Sequence, residues 1–180
     1  MSLRAIIRAQ DCPQIAWKNG GGTTREIAVF PPGAGMSNFD WRLSMAQVVT
    51  AGPFSTFVDI DRKLAVLRGT LHLAGPDVEV RLDAASEAFD FGGDVPIMGS
   101  PLDGPATDLN AMTRRGRFVC CLTRLRLGDR AEPCGTTFLV ALEPQTLCAE
   151  RFGCWDSAIL TEAAMVNGAA FQVSFTRQSM

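Results

Sequence analysis

Short runs of β-branched and apolar residues recur along most of the chain, each closed by a cluster of glycine, proline, asparagine or aspartate. Residues 25–30, 41–49, 64–73, 78–82, 118–127, 136–142, 158–160 and 171–175 follow this pattern. Between them stand turn formers such as Pro31-Pro32-Gly33, Ala51-Gly52-Pro53, Arg68-Gly69, Gly75-Pro76-Asp77, Gly92-Gly93-Asp94, Gly128-Asp129 and Asn167-Gly168. A strand needs only a short run that fits a pleated surface, whereas a helix needs an apolar stripe repeating every ~3.6 residues over several turns. No such stripe is visible, so helices should be few and short and the chain reads as an all-β sandwich or barrel.

One segment breaks the rhythm. Pro101, Gly104 and Pro105 precede Thr107-Asp108-Leu109-Asn110-Ala111-Met112-Thr113-Arg114-Arg115-Gly116, and the stretch reads as a long crossover rather than a strand. The expected organisation is one domain over residues 1–180, with an N-terminal half of about 1–100, a crossover of about 101–117 and a C-terminal half of about 118–180. A chain of 180 residues, 47% hydrophobic and 20% charged, suffices for one well-filled core and is short for two independent domains.

Formal charge is −2 and the lysines and arginines are scattered, so the basic stripe of a nucleic-acid binder is missing. No apolar run has the length of a membrane span or of a secretion signal, which makes a cytoplasmic protein with no membrane partner the expectation. The six cysteines are then expected as reduced thiols, with the adjacent Cys120 and Cys121 read as buried small hydrophobes. They form no CxxC pair, and the single histidine, His72, lies far from all of them, so a zinc site and a Ser-His-Asp triad both lack support.

The densest set of binding groups is Trp17-Lys18-Asn19-Gly20-Gly21-Gly22-Thr23-Thr24-Arg25-Glu26. Three consecutive glycines cost backbone entropy and supply no side chains, which favours an unusual turn or a close backbone approach. The window reads as the lip or wall of a small-molecule site, with a plain surface hairpin as the alternative. It leads into a strand, so the helix N-terminus of a phosphate loop is lacking and no nucleotide cofactor is expected. On a strand, Thr23, Arg25, Ile27 and Val29 share one face and Thr24, Glu26, Ala28 and Phe30 the other, so Arg25 and Glu26 enter one cavity only through a bulge. Lys18 or Arg25 could clamp a carboxylate, or Arg25 and Glu26 could pair with neighbouring strands at the surface.

In residues 41–48, Trp41, Leu43, Met45 and Gln47 form the better core face; Arg42, Ser44, Ala46 and Val48 suit either a polar barrel interior or solvent. Asp59-Ile60-Asp61-Arg62-Lys63 reads as a solvated corner, with Asp61 and Arg62 as alternative contributors to a site mouth. For Asp108 and Asn110 a local capping or turn role comes before ligand contact.

The decapeptide, then Trp41-Arg42-Leu43-Ser44-Met45-Ala46, Gly52-Pro53-Phe54-Ser55, Asp61-Arg62 and Asp108-Leu109-Asn110-Ala111-Met112, in this order, resemble the HutD/Ves family over residues 15–117. The resemblance implies a cupin-type β-barrel with two barrel-like halves in one chain, a bicupin. It also implies an association with histidine utilisation in bacteria, and binding of an intermediate such as formylglutamate or urocanate in a regulatory role. Metal-dependent cupins hold their metal with a histidine cluster and a glutamate, which one histidine cannot supply, so no metal and no cofactor are expected. The candidate ligand-binding set is Trp17, Lys18, Asn19, Gly20, Gly21, Gly22, Thr23, Arg25, Glu26, Arg42, Ser44, Asp61, Asp108 and Asn110, around a small anionic metabolite. The alternative is a metal-independent isomerase or lyase with Glu26 or Asp61 as base and Lys18 or Arg25 stabilising an oxyanion. A homodimer through an exposed sheet is also expected, with no specific interface in the sequence behind it.

Overall fold

The structure, a computed structural model, describes residues 2–178. The first strands are β1 (Leu3–Ile7), β2 (Gln14–Ala16), β3 (Gly22–Phe30), β4 (Trp41–Val48) and β5 (Gly52–Pro53). They are followed by β6 (Ile60–Gly75), β7 (Val78–Asp83), β8 (Phe89–Gly92) and β9 (Met98–Arg114). The remainder comprises β10 (Phe118–Leu125), β11 (Arg130–Ala131), β12 (Thr136–Ala141) and β13 (Gln145–Leu147). β14 (Glu150–Phe152), β15 (Ser157–Leu160), β16 (Ala164–Met165) and β17 (Ala170–Arg177) complete it. The only helical element among the described residues is a 3₁₀ turn, Ala9–Asp11, so the all-β reading holds.

Two compact units divide the chain: Pro13–Arg115, and Met1–Cys12 together with Gly116–Met180. The first is an eight-stranded antiparallel sheet in the order β2-β3-β4-β9-β6-β7, with β5 added on β9 and β8 on β6. The order is linear and its outer strands are not hydrogen-bonded to each other, so the sheet is not closed. Its apolar core gathers Val48, Leu64, Val66, Leu71, Leu73, Leu82, Phe91, Ile97 and Ala106, with Trp17 and Phe54 packed against them.

The second unit holds a five-stranded sheet, β1-β15-β12-β17-β10, and two ribbons, β11-β16 and β13-β14. Leu139, Ala141, Leu147, Phe152, Ala158 and Leu160 lie at the centre of its core. Asp156 fastens the N-terminal segment to this unit by accepting hydrogen bonds from Arg8 Nη1 (2.8 Å) and the amides of Ala9 and Gly153 (both 2.9 Å).

The expected crossover is corrected by β9. That strand, 17 residues long, runs through the middle of the larger sheet, pairing β4 on one side and β6 on the other. Gly104 and Pro105 sit where the chain bulges, whereas Gly99 and Pro101 stay in register with β6: Asp103 and Gly104 have positive φ, and the register with β6 jumps between the pairs Thr70↔Leu102 and Arg68↔Thr107. Beyond the bulge, residues 106–113 are all buried. The division into units falls at residues 115 and 116, and the first twelve residues join the C-terminal part.

Candidate functional site

Antiparallel register assigns every side chain of the larger sheet to a face, because directly opposed residues point the same way. Three rows cross the sheet on one face. Val29, Arg42, Met112, Arg62 and Phe91 form the first; Glu26, Ser44, Asn110 and Leu64 the second; Thr24, Ala46, Asp108 and Val66 the third. Successive rows are two residues apart along β9, a spacing of about 7 Å.

Five polar side chains on this face are buried: Arg42 at 5% exposure, Ser44 at 2%, Arg62 at 6%, Asp108 at 1% and Asn110 at 7%. Glu26 is the member that solvent reaches, and it accepts a 2.8 Å hydrogen bond from Arg42 Nε. Arg62 is held differently. Its guanidinium lies over the rings of Phe91, Phe54 and Phe57 at 4.9, 5.4 and 5.9 Å from their centroids, and its Nη1 donates to the Ser55 carbonyl at 3.3 Å. Cation–π contacts tolerate a buried guanidinium without spending all its donors. Arg62 Nε, Asp108 Oδ1 and Asn110 Oδ1 find no hydrogen-bond partner in the protein.

Burial dominates the electrostatics. It pushes the Asp108 carboxyl up from 3.8 to about 7, against the pull of Arg62. It also lowers Arg62 to about 10, with Asp108 opposing that shift and Arg42 adding to it. Buried polar groups are ordinarily satisfied, and unsatisfied ones call for an explanation. A face with two guanidinium groups and two unpartnered acceptors can hold a small polar molecule offering both acceptors and donors.

The sequence-based candidates separate into groups. Glu26, Arg42, Ser44, Asp108 and Asn110 come together on this face. Asp108 and Asn110 are not local caps, which corrects that expectation: on a strand, alternate residues are carried to one face, away from their own backbone. Arg25 lies opposite Met45 and Thr23 opposite Gln47, on the reverse face. The only bulge in β3 falls between Glu26 and Ala28, too late to turn Arg25 inward. Lys18 is exposed and lies before β3, outside the three rows. Asp61 is an exposed residue paired to Arg115 at 2.9 Å. The reverse face of β4 is buried at Trp41, Leu43 and Met45, but Gln47 is exposed, and the face of Arg42 and Ser44 is equally buried.

The triple glycine is a hairpin that needs its glycines. Gly20 has φ +69°, Asn19 Oδ1 accepts from the Gly21 amide at 3.0 Å, and a Cβ on Gly22 would overlap the carbonyl oxygen of Gln47. Trp17 packs edge-on against Phe54 and donates from Nε1 to Thr24 Oγ1 at 2.8 Å, fixing the hairpin at the end of the polar face. Arg62, read from the sequence only as a contributor with Asp61 to a site mouth and left out of the candidate set, stands buried on this face. Its signal was parity: Arg62, Leu64 and Val66 alternate on one face, so a cation ahead of an apolar strand pointed inward.

Among the described residues no group of three or more His, Cys, Asp or Glu side chains is placed to hold a metal ion. No helix is long and apolar enough to cross a membrane.

The HutD family profile matches residues 9–166. The chain belongs to the HutD family. Protein Ves of Citrobacter koseri is 32% identical over 154 residues, covering 79% of this chain and 78% of that protein. A 21.2 kDa protein in the hutC 3′ region of Pseudomonas putida is 37% identical over 119 residues, 66% of this chain and 62% of its own length. Among solved structures, HutD from Pseudomonas fluorescens SBW25 superposes with a TM-score of 0.87 at 26% identity, covering 97% of this chain and 99% of that one.

Proposed function

We propose that the unit Pro13–Arg115 is a metal-free, barrel-like cupin-type half that binds a small carboxylate metabolite on the face bearing Arg42 and Arg62. Binding serves a regulatory role in histidine utilisation, with formylglutamate and urocanate as candidate ligands, and the second unit is the other half of a bicupin. The observation that carries this reading is the pair of buried guanidinium groups flanking Met112 in one row, of which only Arg42 is ion-paired to a carboxylate. Arginine presents a planar fork suited to carboxylates, and a water-poor surrounding strengthens the attraction. A cytoplasmic homodimer without a nucleic-acid partner belongs to the same proposal.

The test is thermal shift with urocanate, formylglutamate and glutamate. A ligand at about one hundred times its Kd stabilises by about 2.7 kcal/mol. Arg42→Met should abolish the shift while Arg25→Ala, on the reverse face, retains it; no stabilisation by any of the three discards the ligand class.

A second reading is favoured by Asp108. A buried carboxyl near 7 suits general acid–base work at neutral pH, so a metal-independent isomerase or lyase would use Asp108. Glu26 and Asp61, the sequence-based choices of base, are each ion-paired to an arginine. Turnover of any panel compound that vanishes in Asp108→Asn would favour catalysis.

A further inference from the structure

We propose that Asn110 and Asp108 form the selectivity end of the site, accepting hydrogen bonds from an N–H group that the ligand must carry beside its carboxylate. The inference rests on the carboxylate-binding reading and adds the class of ligand that this face accepts.

The argument begins with the order of the rows. The cations occupy the row of Met112; Asn110 is one row away and Asp108 two, at about 7 Å per step. Along one strand the face therefore changes from donors to acceptors. Both acceptors are more than nine-tenths buried, and each leaves its Oδ1 without a partner. Their row neighbours do not explain this. Asp108 lies between Ala46 and Val66, which have no polar side chain, and Asn110 lies between Ser44 and Leu64.

A buried acceptor left unpaired keeps its full desolvation penalty, so two of them on one face are costly unless something donates to them. The other charged groups in these three rows are Glu26 on β3, Arg42 on β4 and Arg62 on β6. Glu26 is engaged with Arg42, and Arg62 attracts Asp108 electrostatically without hydrogen-bonding its Oδ1.

A dicarboxylate would satisfy the arginines and leave both acceptors unpaired or set a second negative charge against Asp108. A molecule with a carboxylate at one end and an amide or ring N–H a short distance away satisfies both ends. Sites built to bond an N–H discriminate strongly against analogues that lack it, because the site's own polar groups are then stranded.

Two probe pairs isolate the donor. Urocanate and cinnamate share an acrylate arm and differ in the ring N–H; N-formylglutamate and glutarate share a diacid frame and differ in the amide. Calorimetric titration of the full chain should give at least about tenfold tighter binding for the donor-bearing member of one or both pairs. In Asn110→Leu or Asp108→Leu the gap should collapse to within about threefold, with cooperative urea unfolding of each variant reporting an intact fold.

Equal binding of both members of each pair by the wild-type protein overturns this inference and leaves the carboxylate reading standing. A gap that survives in both leucine variants overturns it too, since the donor is then read elsewhere. If no probe binds the wild-type protein, the carboxylate reading fails and this inference falls with it.

Discussion

Replacing Asp108 by asparagine should stabilise the protein at alkaline pH and do so much less at acidic pH. The side chain keeps its shape and an acceptor oxygen, and loses only the ability to ionise. In the folded protein burial raises the carboxyl from 3.8 to about 7, so between those values the folded state binds more protons than the unfolded one. The contribution is therefore fully present below pH ~4 and is lost as pH rises through about 7. Carrying the carboxyl from 3.8 to about 7 at ~1.36 kcal/mol per pH unit sets the full loss at about 4 kcal/mol, more than half of it between pH 5 and pH 8. Arg62, lowered to about 10, stays charged across that window, so it cancels when the variant's advantage at pH 5 is subtracted from that at pH 8. Urea denaturation of both proteins at the two pH values measures the difference. An advantage that is the same at pH 5 and pH 8 would refute a buried, charge-disfavoured Asp108, and with it the electrostatics assigned to this face.

Gly22→Ala should destabilise the larger unit by about 1–3 kcal/mol, since the new methyl overlaps the Gln47 carbonyl, a backbone atom that cannot rotate away; urea unfolding checks it, and an unchanged midpoint would contradict the close approach. Gly20→Ala should cost less, about 1 kcal/mol, because its positive φ is unfavourable but nothing lies within 4 Å of the added atom. Asp156→Asn should lower stability at neutral pH and lose its effect in acid. Burial raises that carboxyl, but the donors on Ala9, Gly153 and Arg8 together hold it below 3.8, so its stabilisation is present above that value and lost as pH falls. Acid titration of the unfolding midpoint for both proteins tests the sign.

Much of the architecture was legible because strands announce themselves through residue type and punctuation. β3, β4, β6, β7, β10, β12, β15 and β17 lie where short apolar runs end in turn formers. β9 was illegible for a related reason. Its buried stretch carries Thr107, Asp108, Asn110 and Thr113, and a strand whose inward face is polar looks like a loop to any pattern that equates burial with hydrophobicity. Arg62 was obscured by its charged neighbours Asp61 and Lys63, which alternate with it toward the other face.

From the residues alone came the all-β class, the need for glycine at an unusual turn or close backbone approach, and the pairing of a cation with a hydroxyl at Arg42 and Ser44 on one strand face. All three rest on short-range physics: backbone sterics at glycine and the two-residue period of a strand. Which face would be buried, and which side chains would meet there, was decided by the tertiary structure. Register across β3, β4, β9 and β6 placed Glu26 with Arg42 and left Arg25 on the reverse face, because a bulge flips only the residues beyond it. Burial on both sides of β4 and β9 then turned ordinary polar residues into a desolvated cluster with unpartnered atoms, a property that belongs to the surroundings of a side chain and to no residue taken singly.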